Sequence, residues 1–216
     1  EWIILNANKS GDDYEEEVIK KYIEKYPNNI IYKRLDEDPG IYDTWNAAIE
    51  MSTGEFITNV NCDDRRPVMA YEEQAKILFS SPDIDLVYND SYVSHEPNIM
   101  WEDIKSDTKR YNFDKFSKEA MLRGNLPHNN PMWKKNLHDR FGTFEGKYGF
   151  AGDWEFWLRC AFGGAKFEKI NQVLGVYYFN PVGISTNKET ESSKKKEEFE
   201  IFKKYQKLFL ELKQEE

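Results

Sequence analysis

Two adjacent carboxylates, Asp63 and Asp64, end the stretch "GEFITNVNCDD", where an apolar run turns polar. Paired acids at such a point can hold a hard divalent cation, which prefers one or two carboxylates together with phosphate oxygens and water. They can equally cap a helix starting at Pro67, although one acid would suffice for that. A third acid, Asp153, lies at the start of "DWEFWLRCAF", in the first turn of an expected helix. "GIYDTWNAAI" contributes Gly40, Asp43 and Asn46. Glycine admits close approach of a ligand to the backbone, and Asp and Asn side chains can hold hydroxyl groups. Asn6, Asn8 and Ser10 follow the first apolar run, and His128 stands in "NLPHNNPMW".

The elements that must position these residues follow from hydrophobic periodicity. "WIIL" (2–5) reads as a buried strand, and residues 14–26 as a helix with Val18, Ile19, Tyr22, Ile23 and Tyr26 on one face. Asp13 and Glu16 form a capping-box pattern at its start. Strands are expected at 30–35, 55–60 and 83–90, with helices at 41–51 and 67–80 between them. This alternation predicts an α/β fold whose largely parallel sheet is covered by helices on both faces. Ligands of such sheets bind beyond the carboxyl ends of the strands, where "LNANKSGDD" and "NVNCDD" fall. Farther along, 94–112 reads as a loop or β excursion. Helices are expected at 113–124, 134–142 and 151–164, and strands at "KFEKI" and "VLGVYYF". From Lys188 the chain reads as a charged amphipathic helix with Phe199, Phe202, Phe209 and Leu212 on one face.

Composition narrows the function. The 216 residues suit one sizeable domain, and 39% hydrophobic with 32% charged residues is a globular balance. A formal charge of −9 argues against a general nucleic-acid binder, which needs a basic face. No apolar run approaches a membrane span or a cleavable signal. Cys62 and Cys160 are too few for a disulfide framework, so a reducing, cytoplasmic location is the expectation, with peripheral attachment at the inner face of a membrane also open. His95, His128 and His138 are too scattered for a zinc site. The chain opens directly on the strand pattern "EWIIL", which predicts a further piece upstream.

Three segments agree in order and spacing: "DEDPGIYDTWNAAIEMSTGEFITNVNCDD", "NLPHNNPMWKKNLHDRFGTFE" and "GFAGDWEFWLRCAFGG" followed by "LGVYYFNPVGIST". Together they resemble the inverting family 2 glycosyltransferases of the GT-A fold, over residues 1–187. The resemblance implies a Rossmann-like nucleotide-diphospho-sugar transferase domain, N-terminally incomplete, with residues 188–216 as an added helix. It implies transfer of a sugar from a nucleotide donor, UDP-linked in the simplest reading, to a glycan, lipid-linked or protein acceptor, as in polysaccharide biosynthesis. Mn²⁺ or Mg²⁺ is the implied cofactor, with Asp63 on the metal-binding acid of the family's D-x-D signature and Asp64 beside it. Asp153 falls on the family's general base, which the helix N-terminus is expected to keep ionised, with Glu155 as the fallback and Arg159 as a structural partner. Gly40, Asp43 and Asn46 fall along the donor, Asn6 near the base, and His128 on the acceptor side. Trp133, Trp154 and Trp157 could stack on a sugar, but aromatics at helical spacing are usually core; Trp157 reads as core and Trp154 as either.

The chain departs from the family pattern in three places. Asn61 stands at the first acid of the signature, and Asn6-Ala7 stands where a pair of acids usually grips the base. The strand and helix that precede "EWIIL" in the family are missing, which would leave a sheet edge open to pairing with another copy. A truncated or degenerate domain that binds carbohydrate or a partner without turnover is therefore the alternative. A nucleotidyltransferase is disfavoured because no Gly-rich phosphate loop with a Lys is present.

Overall fold

The computed structural model describes residues 1–8 and 14–215. Ser10 and the expected cap at Asp13 lie outside the described residues. β1 (Trp2–Asn6) and β2 (Ile30–Arg34) pair in parallel, from Trp2 opposite Ile30 to Asn6 opposite Arg34. A parallel pair needs a crossover connection, and α1 (Tyr14–Lys25) supplies it. α2 (Ile41–Met51) begins after Gly40, whose φ of 92° lies in the region open to glycine.

The second sheet is organised on β4 (Leu86–Ser94), which is buried along almost its whole length. β3 (Phe56–Ile57) pairs with β6 (Met132–Lys134), and β6 and β5 (Arg110–Tyr111) both pair with β4, all antiparallel. β7 (Phe167–Tyr178) runs parallel along the other edge of β4, with register shifts around Asp90. The sheet is thus mixed rather than largely parallel. Strand direction depends on which end of the sheet a connection reaches, and local periodicity does not encode that. The expected strand at 55–60 stops at Ile57; in this register Thr58 would face Met132 and Asn59 would face Pro131, which has no N–H to donate. "KFEKI" and "VLGVYYF" merge into the single strand β7.

Alternate residues of the strands feed two cores, as a period of two requires. Val87 and Met132 join Leu78 of α3 (Ala70–Ser80), Ile170 and Leu174 on one face. Leu86, Tyr88 and Trp133 join the larger cluster on the other face, with Phe156 and Trp157 of α6 (Gly152–Phe162). α4 (Lys118–Arg123) is shorter than expected. Its N-cap is Ser117, whose Oγ accepts from Ala120 N at 3.0 Å, and the preceding segment is tied to β4 by Phe113 N donating to Asp90 Oδ1 at 2.9 Å. α5 (Leu137–Phe141) is likewise trimmed by β6.

The long helix α7 (Glu191–Glu215) packs into the larger core through Ile201 and Tyr205, both almost fully buried. Burying Ile201 alone contributes about 2 kcal/mol. Phe202 and Phe209 lie partly buried beside them, but Phe199 is 55% exposed, so the docking face is rotated from the expected one. A polar reason exists: Glu155 accepts from Lys204 Nζ at 2.8 Å and Tyr205 OH at 2.6 Å, fixing which stripe turns inward. Between the two sheets runs a groove of about 710 Å³, with Trp2 and Ile3 of β1 on one wall and Phe56 and Ile57 of β3 on the other; Asp64 and Arg66 also line it.

Candidate active site

After β3 the chain turns so that Asp64 is buried while Asp63 stays partly exposed. Asp64 Oδ1 accepts from Tyr178 N at 3.0 Å; its Oδ2 accepts from Asn61 Nδ2 at 2.9 Å and Asn129 Nδ2 at 3.1 Å. One carboxylate thereby joins the segment after β3, the end of β7 and the 125–130 loop. Burial raises the Asp64 pKa above the ordinary aspartate range despite these donors. Asp63 makes no hydrogen bond to any described residue. No group of three or more His, Cys, Asp or Glu side chains that could hold a metal occurs among the described residues. An ion here would draw one carboxylate, or at most two, from the protein. That suits a cation whose remaining ligands are phosphate oxygens and water.

The 125–130 loop carries the connection onward. His128 has φ 46°, a strained value for a residue with a side chain, and its ring sits 5.0–5.4 Å from those of Tyr111, Phe113 and Tyr177. Its Nδ1 lies 3.1 Å from Asn129 Oδ1. Because Asn129 turns its NH₂ to Asp64, its oxygen faces His128, and the His128 proton belongs on Nδ1. Burial lowers the His128 pKa and favours the neutral ring. Its backbone N–H donates to Asn125 Oδ1 at 3.3 Å, and Asn125 Nδ2 donates to Asp153 Oδ2 at 2.7 Å.

Asp153 thus sits at the far end of a continuous polar chain that starts at Asp64. Its Oδ1 accepts from Tyr42 OH at 3.2 Å. Burial raises its pKa, and the Asn125 bond, the Trp154 N–H, nearby His128 and Tyr42 offset this only in part. The helix N-terminus does not by itself hold Asp153 at ordinary acidity; desolvation outweighs it and makes this a stronger base. The groove lined by Asp64 does not include Asp153 in its walls. The 125–129 loop is what links them.

Most other expected site residues have internal tasks. Asn46 exchanges two hydrogen bonds with the Phe144 backbone, at 2.8 and 3.0 Å. The Asp43 carboxylate packs against Gly146, leaving no room for a side chain there. Gly40 donates to Asp38 Oδ1 at 2.9 Å, and the space where a side chain would stand is open. Asn6 accepts from Asn8 N at 2.9 Å and faces Tyr32 OH and Glu15 at 3.4 Å. Trp154 is buried, with Nε1 donating to Met121 O at 2.8 Å, which makes it core rather than a stacking platform. Glu155, the fallback base, is fully buried. Burial pushes its pKa up, but bonds from Arg159, Lys204 and Tyr205 outweigh this and hold it below the usual range. Asn125, Tyr42 and Arg66 were not singled out by sequence; the only signal was the density of amides in "NLPHNN" and the pair "RR" after the acids. Arg66 donates to Thr58 Oγ1 at 2.7 Å and to the carbonyls of Asn59 and Asn129 at 2.6 and 3.3 Å, and burial lowers its pKa to about 10.

The fold is that of the GT-A glycosyltransferases. Staphylococcus aureus TarS superposes with a TM-score of 0.62 at 14% identity, over 83% of this chain and 51% of that one. The mannosyltransferase PcManGT of Pyrobaculum calidifontis, solved with GDP-Man and Mn²⁺, gives 0.59 at 16% identity over 84% and 48%. Residues 1–146 match glycosyl transferase family 2, and the chain belongs to that family. Among named relatives, an uncharacterized glycosyltransferase of Methanocaldococcus jannaschii, MJ1057, is 26% identical over 81% of this chain and 59% of its own length. The PGL/p-HBAD biosynthesis glycosyltransferase of Mycobacterium tuberculosis is 23% identical over 69% and 55%. The chain therefore spans between half and three-fifths of the curated relatives it matches. Asp153 and α7 lie beyond the matched residues.

Proposed function

We propose that this chain carries the catalytic domain of a metal-dependent inverting glycosyltransferase using a nucleotide-sugar donor. The observation that carries the reading is the hydrogen-bonded chain from Asp64 through Asn129, His128 and Asn125 to Asp153. It supports a single site in which the end of β3 and the start of α6 act together. The family assignment supports the same chemistry, as do neighbours solved with UDP, UDP-GlcNAc and GDP-Man.

In this reading the acceptor hydroxyl gives its proton to Asp153 while its oxygen attacks the anomeric carbon from the face opposite the diphosphate. The bond from that carbon to the phosphate oxygen breaks, and its electron pair leaves with the nucleoside diphosphate. Asp63 is the side chain that would hold Mn²⁺ or Mg²⁺, which when bound supplies positive charge for the departing diphosphate. Asp64 orients the segment that carries Asp63. Gly40, Asp43, Asn46 and Asn6 shape the donor side through the backbone they fix, and His128 shapes the acceptor side. The acceptor is a glycan, lipid-linked or protein hydroxyl; no helix of the described residues is long and apolar enough to cross a membrane.

The test is release of UDP from UDP-GlcNAc, or GDP from GDP-mannose, with and without Mn²⁺ and in the presence of EDTA. Metal-stimulated release that disappears in Asp63→Asn and Asp153→Asn supports the reading. Donor binding by calorimetry without release in any condition would move it to the non-catalytic binding module.

A further inference from the structure

α6 begins without a cap of its own, since the residue before it, Ala151, offers no side-chain acceptor. The N–H groups at such a start have no partner inside the helix. Of these, the Ala151 N–H is met from far along the chain, together with those of the two residues before it: Glu197 of α7 accepts from Gly149 N through Oε2 at 2.8 Å, and from Phe150 N and Ala151 N through Oε1 at 2.8 and 2.5 Å. A carboxylate accepting three backbone donors at the positive end of a helix is a strong, charge-assisted arrangement.

Asp153 stands two residues after the last of these donors. Two residues beyond it, Glu155 is held by Lys204 and Tyr205, again from α7. The helix thus grips the chain on both sides of Asp153. Gly152, between them, packs so closely on the Tyr42 ring that a β-carbon would collide with it, and Tyr42 donates to Asp153. A small movement of this turn would therefore change how Asp153 meets both Tyr42 and Asn125.

We propose that Glu197 is a positioning residue for Asp153, acting through the backbone of residues 149–151, and that α7 is in this way a working part of the active site. The inference rests on Asp153 being the base, and it adds a residue that never touches substrate. A purely structural Glu197 would affect only the fraction of chain folded. A positioning Glu197 lowers turnover of the folded protein while leaving donor affinity alone, because the misplaced group acts in the transition state.

The experiment compares the whole chain with Glu197→Ala, Glu197→Gln, Asp153→Asn and a destabilised control, Leu78→Val, in the distant α3 core. Hydrogen-exchange mass spectrometry is read over 149–153, and nucleotide release is measured with UDP-GlcNAc or GDP-mannose and Mn²⁺. In Glu197→Ala, amides 149–151 should exchange roughly tenfold faster. Its kcat should fall roughly tenfold to a hundredfold at unchanged donor KM. Glu197→Gln, which keeps one acceptor oxygen, should lie between. Leu78→Val should melt earlier while showing neither effect. Wild-type exchange over 149–153 in Glu197→Ala overturns the proposal, as does a kcat loss no larger than that of Leu78→Val. Full turnover in Asp153→Asn sinks the base assignment instead, and the exchange data still report whether Glu197 holds the turn. Where neither donor turns over, the exchange data decide alone.

Discussion

Asp64 and Asn129 are joined by a 3.1 Å hydrogen bond that fastens the segment after β3 to the loop from which Asn125 reaches Asp153. Two acids separated by 89 positions in the chain thereby share one framework, and within the Asp63-Asp64 pair only Asp64 is held by hydrogen bonds from described residues.

Asp63→Asn should abolish metal-stimulated nucleotide release and leave the urea midpoint unchanged, since its oxygens bond to no described residue. Asp64→Ala should instead destabilise the fold by about 1–3 kcal/mol, because it orphans the Asn61 and Asn129 amides and the Tyr178 N–H. Chemical denaturation with parallel activity assays separates the two. Equal stability loss in both variants would contradict this division of labour.

For Asp153→Asn the expected loss in kcat is about 10²–10⁴, with the fold retained. The wild-type kcat/KM should have an acid limb above the ordinary aspartate range, because burial raises the Asp153 pKa and the base works only when deprotonated. Activity is then lost as pH falls through that raised value. In Asn125→Ala one donor to the carboxylate disappears, the pKa rises further, and the limb should move to higher pH. A limb that stays put or moves down in this variant counts against the Asn125 contact.

Glu155→Gln should cost about 3 kcal/mol at neutral pH, since it breaks a buried ionic cluster with Arg159 and Lys204. Glu155 has a folded-state pKa below its unfolded one, so its contribution is fully present above the ordinary glutamate range. It vanishes as pH falls through the lowered value. Urea titrations at several pH values should show the gap between wild type and variant closing on the acid side.

Trp154→Phe removes the bond from Nε1 to Met121 O and should destabilise by about 1 kcal/mol. Donor KM, read by nucleotide release, should not change. A large rise in KM would restore Trp154 as a sugar platform.

Much of this was legible in the sequence. α2 occupies the expected residues 41–51, and α6 follows the pattern "GDWEFWLRCAF", because apolar spacing and terminal glycine act locally. Asp63 and Asp64 stood out as an adjacent acid pair after an apolar run, and Asp153 through the family pattern. The rest depended on distant partners. The antiparallel β6 and the inward stripe of α7 follow from chain direction and from Glu155, neither of which a periodicity window contains.

The sequence by itself determined the alternation of elements, the family pattern and the identity of the candidate acids, since these reside in residue type and spacing. Only tertiary structure decided that Asp64 is bound up while Asp63 bonds to no described residue, that amides of one loop join Asp64 to Asp153, and that Glu197 fastens the turn leading into α6. A hydrogen bond needs its partner within about 3 Å. Which residues 46 or 65 positions apart come that close is settled by the packing of the whole chain.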